Sequence, residues 1–271
     1  MDRSRIKTFV LLLLLLVNLS FLCVYILDSV SAARLQAEGK QELAAALSKQ
    51  GIQIGAEQIP DGGRTEIYLA ARDLALELAL VEAVLGDAAQ LNQGGGIYAY
   101  ESAGGTARFQ DTGDFEIRPS PGAVPATDDP AAGIGSLLLA MGLAAEPLRA
   151  DEAAGTVTYV CLVDGHPVQD CLVTFTFEDS ALTSIAGRRP MDTHQKQASG
   201  DLLGIGTSAL IMARYISSGE QVASRVISIT EGYSMSTGAY ADARITPTWR
   251  IETDGGIYSV NRGTGDVTLA G

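Results

Sequence analysis

The stretch 156–177, TVTYVCLVDGHPVQDCLVTFTF, decides how the rest of the chain is read. Apolar and polar side chains alternate on both sides of Asp164-Gly165-His166-Pro167, the pattern of two strands joined by a tight turn. Counting by twos, Cys161 shares a face with Tyr159 and Val163, and Cys171 shares one with Val173, Phe175 and Phe177, so both thiols point at a core. A three-residue loop sets the cysteines opposite each other, within reach of a cross-strand disulfide in an oxidising compartment; two buried free thiols are the alternative.

Outward from this hairpin, helices and meanders alternate. Gly133-Ile134-Gly135-Ser136 opens an apolar helix, GIGSLLLAMGLA, and 71 positions later Gly204-Ile205-Gly206-Thr207 opens another, GIGTSALIMARYI. Strand-like alternation follows each, ending near Gly187 in the first copy and near Leu269 in the second. The expected class is α+β, with residues 131–271 a duplicated pair of helix-plus-antiparallel-sheet units. Residues 121–130, rich in proline, glycine and aspartate, read as a linker. Ahead of it, residues 51–120 form a first α+β unit: short strands in IQIGAEQIP and TEIYLA, a helix over 71–85 stopped by Gly86, and a meander in IYAYESAGGTARFQDTGDFEIRP.

The chain opens MDRSRIKTFVLLLLLLVNLSFLCVYILDSVSAA. Residues 9–27 are nineteen positions without a charge, about 28 Å as a helix, which is the thickness of a bilayer's hydrocarbon layer. Val30-Ser31-Ala32 offers a signal-peptidase site, but the apolar run exceeds the roughly 7–15 residues of a cleaved signal, so the reading is a retained anchor. Arg3, Arg5 and Lys7 precede the span and Asp28 follows it, which puts residues 1–8 in the cytoplasm and the C-terminal domain outside. Residues 28–50 continue as an alanine- and glutamate-rich juxtamembrane helix. Within the span Cys23 serves as a small apolar residue. Asn18, near its middle, carries an amide that gains from a hydrogen bond to a partner helix.

Composition and motifs narrow the function. A net charge of -13 argues against nucleic acid and against anionic lipid surfaces, and favours a protein or peptide partner. Two histidines, His166 in the turn and His194 in a polar run, are expected to be solvated, and HExxH, CxxC and GxSxG patterns are missing from the sequence. Gly204-Ile205-Gly206-Thr207-Ser208-Ala209 fits G-x-G-x-x-A, but the preceding HQKQASGDLL is polar and reads as helical or irregular rather than as a buried strand. Asp128-Asp129, Asp151-Glu152 and Glu178-Asp179 fall in linkers or turns, where solvated charge is ordinary. The expectation is a protein that is not an enzyme and that uses no cofactor or metal.

Three stretches carry a family resemblance. The opening Met1, Asp2, Ser4, Lys7 and Thr8 before an apolar span resembles the start of the YycI family. The segment GHPVQDCLVTFTFEDSALTSIAGR is similar to that family's middle hairpin. PTWRIETDGGIYSVNRGTGDV resembles its C-terminal strand pair through Pro247, Trp249, Arg250, Ile251, Tyr258, Val260, Asn261, Thr264 and Gly265, with Ser259 and Arg262 departing from the pattern. The middle and C-terminal stretches are equally similar to the related YycH proteins and to PepSY-type modules, and the N-terminus favours YycI. The resemblance implies a membrane-anchored, extracytoplasmic regulator of the YycFG (WalRK) two-component system of Gram-positive bacteria. Its implied partners are a sensor histidine kinase of the YycG/WalK type and a YycH-like protein. A PepSY-like inhibitor or chaperone of a protease, or a cell-envelope binding module, is the second reading. None of the shared residues looks catalytic; Trp249, Ile251 and Tyr258 are what a sheet buries.

Overall fold

The computed structural model describes residues 3–63, 66–92, 94–124, 130–197, 201–219, 222–238 and 243–270; within them the side chains of 3–11, 15, 23, 26–30, 32–33, 92, 130–132, 193 and 270 are not described. Met1, Asp2, the Cys23 side chain and residues 125–129 of the expected linker therefore lie outside the described residues.

A single helix, α1 (Arg3–Lys49), runs through both the expected span and the juxtamembrane segment. A 3-10 turn (Ala56–Gln58) and strand β1 (Ile67–Ala71) follow. Next come α2 (Leu74–Leu85) and four strands, β2 (Ala88–Asn92), β3 (Ile97–Ser102), β4 (Gly105–Gln110) and β5 (Asp114–Pro119). The same order of elements recurs with α3 (Pro130–Ala140), β6 (Ala145–Asp151), β7 (Thr156–Val163), β8 (His166–Glu178) and β9 (Ala181–Arg188). After β10 (Thr193–Gln197) it recurs again, with α4 (Ile205–Ser218), β11 (Val226–Thr237), β12 (Ala243–Thr253), β13 (Gly256–Asn261) and β14 (Val267–Ala270). The first unit, expected as a helix followed by a meander, thus has the same order of elements as the two units of 131–271.

Among the described residues the strands form one 14-stranded sheet, antiparallel except where β8 meets β11 at Val168 and Tyr233. The class is α+β, as expected. Pairing crosses the segment read as a linker: Phe115 of β5 pairs with Gly187 of β9, and β1 pairs with both β10 and β12. Two cores lie under the helices. The first packs α2 and α3 on Phe109, Phe115, Ile117, Phe175 and Ile185; the second packs Leu43 and Leu47 of α1, together with α4, on Trp249, Ile251 and Tyr258.

Local chemistry sets the helix limits. Asp73 caps α2 by accepting the Ala75 and Leu76 N–H groups, and Gly86, at φ +74°, ends it. Because Ala71 is the last residue of β1, this helix begins three residues later than the composition suggested. In α4, Gly204 is the N-cap and Ser208, Ala209, Met212, Ala213 and Ile216 form the buried stripe expected of an amphipathic helix. The first glycine pair behaves differently: α3 starts at Pro130, a residue suited to a first helical turn, so Gly133 and Gly135 lie inside the helix. The polar HQKQ, expected to be helical or irregular, is edge strand β10, held by main-chain pairing to β1 rather than by an apolar face.

Two long strands change neighbours along their length. β12 pairs with β1 up to Ile245 and with β13 from Thr248, and Pro247 falls between the two ladders. β8 leaves β7 after Pro167, touches β11 at Val168, and rejoins β7 at Leu172. The turn of this hairpin has two residues, Asp164 and Gly165, both at positive φ, and not three.

Among the described residues no helix is long and apolar enough to cross a membrane. The described side chains of that part of α1 are nonetheless open to the surroundings: Leu12, Leu13, Leu14, Leu16, Leu19, Phe21 and Tyr25 are each more than half exposed.

Candidate functional site

Glu77 sits one turn into α2 on the stripe that carries Leu80, Val81 and Val84 into the core, and it is fully buried. A carboxylate in such a place persists only when its oxygens are matched by donors. Arg72, on the β1–α2 connection, donates Nε to Oε2 at 2.8 Å and Nη2 to Oε1 at 2.6 Å. The Tyr100 hydroxyl of β3 donates to Oε1 at 2.7 Å, and Arg189, just beyond β9, donates Nη2 to Oε2 at 3.1 Å. The network continues outward. Arg72 Nη1 reaches Asp111 at 2.9 Å, Arg189 pairs with Asp192, and Asp192 accepts the Asp73 N–H at 2.9 Å. The guanidinium carbon of Arg72 lies 3.8 Å from the centre of the Tyr98 ring. Burial, and then the bond to Glu77, push the Tyr100 phenol upward. Arg189 Nε is buried and has no hydrogen-bond acceptor among the described residues.

Beside this network is a cavity of about 440 Å³. Its apolar walls come from Leu76 and Leu80 of α2, Met141 and Leu143 after α3, Val163 of β7, and Met191; Arg189, Asp192, Asp164 and His194 supply the polar part. Asp164 Oδ2 accepts from the Tyr68 hydroxyl and meets Lys196 Nζ at 3.2 Å. The Tyr68 bond is the main reason that its carboxyl is held below the usual range. Burial lowers the His194 imidazole, so it is neutral at pH 7.

Of the residues read in the sequence, Asp164 and His194 line this cavity, and the site candidates Asn18, Cys161, Cys171 and the family-motif positions lie elsewhere. Asn18 Nδ2 donates to the Leu14 carbonyl of its own helix at 2.8 Å, using one of its two N–H groups. Cys161 and Cys171 are fully buried and their thiols are free. They are not a register pair, since they fall in the stretch where β8 departs from β7. Burial pushes the Cys161 thiol up to about 12 and that of Cys171 well above its ordinary value.

Trp249 and Tyr258 are buried in the second core. Arg250 of β12 is partly exposed and approaches Glu252 at 3.7 Å. Asn261 Oδ1 accepts from Gly263 N at 2.8 Å and Gly265, at φ +80°, donates its N–H to the Asn261 carbonyl, so these two build the β13–β14 turn. Arg262, a departure from the family pattern, is buried, donates Nε to the Leu203 carbonyl at 2.8 Å and stacks 5.2 Å from Trp249.

The buried ion network was not foreseen. Its one signal is Glu77, a charge on the otherwise apolar stripe of LALELALVEAVL. Arg72 is five residues away, but Tyr100 and Arg189 are 23 and 112 residues from Glu77, with no spacing that would have joined them.

Among the described residues the architecture is three helix-plus-meander units on one antiparallel-rich sheet. No protein-family model and no curated protein matches the chain. Among solved structures it is similar to an uncharacterized protein from Eubacterium rectale, at a TM-score of 0.45 and 10% identity over 77% of this chain and 86% of that one. It is also similar to YycH from Bacillus subtilis, at a TM-score of 0.39 and 10% identity over 74% of this chain. The match spans about half, 53%, of the YycH chain.

Proposed function

We propose that this protein is a membrane-anchored regulator of a two-component sensor kinase, with residues 9–27 in the bilayer and the sheet outside the cytoplasm. The observation that carries the reading is the form of α1. Its described side chains from Leu12 to Tyr25 expose large apolar groups on all faces, whereas Leu47 at its other end is fully buried in the second core. A helix apolar all round needs an apolar surround, and lipid or other membrane helices supply one. The N-terminal motif and the C-terminal strand pair resemble the YycI family and add the kinase as partner.

Asn18 is the residue through which the membrane helix meets that partner. Its second N–H and its carbonyl oxygen are available for an interhelical bond worth about 0.6–2 kcal/mol. Asn18→Leu should weaken co-purification with the kinase and shift its output while membrane insertion and ectodomain folding stay unchanged. Unaltered association and output would move recognition from the bilayer to the acidic ectodomain.

A further inference from the structure

The cavity between α2, the α3–β6 connection and residues 189–192 has a job that the kinase reading does not absorb. Its walls are apolar on one side, and its polar side offers two complementary groups. Asp164 uses only Oδ2 for Tyr68 and Lys196, which leaves Oδ1 unbonded among the described residues. Arg189, 3% exposed, holds an Nε–H with no acceptor among the described residues. A buried donor left in that state has lost its water without gaining a partner, a loss that an incoming oxygen would recover.

We infer that this cavity binds a small amphipathic amine with a neighbouring carbonyl oxygen, the chemistry of an apolar amino-acid amide. The apolar group lies against Leu76, Leu80, Met141 and Val163, the ammonium pairs with Asp164, and the carbonyl oxygen is directed toward Arg189. Charge favours a cation over an anion: Arg189 is already matched by Glu77 and Asp192, whereas Asp164 faces a single cation, Lys196, at 3.2 Å and through Oδ2 alone. At about 440 Å³ the space is that of a small-molecule site.

The test uses the full chain in nanodiscs of zwitterionic lipid, titrated with L-leucinamide and followed by ligand-observed NMR against empty nanodiscs. Asp164 stands at φ +49°, a conformation asparagine tolerates, so Asp164→Asn removes the charge and keeps the turn. L-leucinamide should bind, and both Asp164→Asn and the probe N-acetyl-L-leucinamide, which lacks the ammonium, should weaken binding by about tenfold or more. Ala79→Trp, at an exposed wall position, should abolish it; if that variant does not fold, Ala144→Trp blocks the same space from another exposed wall. Absence of binding, equal binding of the acetylated probe, or binding indifferent to Asp164→Asn and to the tryptophan variant would overturn the inference. No kinase takes part, so the outcome is separate from that of the regulator reading.

Discussion

Glu77 is the residue on which the first core turns. It accepts from Arg72, Tyr100 and Arg189, which belong to three separate parts of the chain, so its loss would leave two guanidinium groups buried with reduced pairing. Glu77→Gln is expected to cost about 3–5 kcal/mol, the usual penalty for breaking a buried ion pair from one side, and to lower the thermal unfolding midpoint by several degrees. Circular dichroism would read this directly; a midpoint within one degree of the parent would show that the network is not a stabilising element. Asp254 gives a prediction of opposite exposure. It accepts from Ser224 Oγ, Ser224 N and Arg225 N, and these bonds, the Ser224 hydroxyl first, depress its carboxyl to about 2. Its folded value is below the unfolded one of about 3.9, so its contribution is complete above that pH and is lost as pH falls toward 2. The stability difference between the parent and Asp254→Ala should therefore shrink from pH 5 to pH 2 in urea titrations; a constant difference would contradict the assignment.

At the scale of elements, the hairpin 156–177 was legible because strand alternation is a local property and its turn residues tolerate positive φ. The stretch 168–171, where β8 turns to β11, was not legible, because it is fixed by contacts with residues about 65 positions away. Asp170 receives the Met235 N–H at 2.9 Å and Arg188 Nη1 at 2.9 Å, fastening one half of the sheet to the other. Burial raises its carboxyl despite these bonds. That same stretch separates the cysteines from each other's ladder. Cys161 and Cys171 should resist iodoacetamide in the native protein and react fully in denaturant without reductant, since the thiols are buried and disfavoured as thiolates. Recovery of the two tryptic peptides linked under non-reducing conditions would contradict this. Helix α1 was legible as two segments and is one, because helical propensity alone does not mark where a span ends and a domain begins. Leu47→Ala should destabilise the second core by about 2–5 kcal/mol, whereas the same change at the exposed Leu35 should leave stability within about 0.5 kcal/mol, as urea unfolding would measure.

For the whole molecule, the three-unit order of elements is visible only once pairing is known, since the first unit lacks the glycine signature that the second and third share. The sheet joins all three, and α1 is continuous from Arg3 to Lys49, where Leu43 and Leu47 pack into the second core. We propose that regulation passes through this one helix. It is tested by reconstituting a sensor kinase of the YycG/WalK type in proteoliposomes and measuring its autophosphorylation rate with the full chain or with residues 32–271. The full chain should change the rate and residues 32–271 should not; an equal effect of the two, or no effect of either, would contradict regulation through α1.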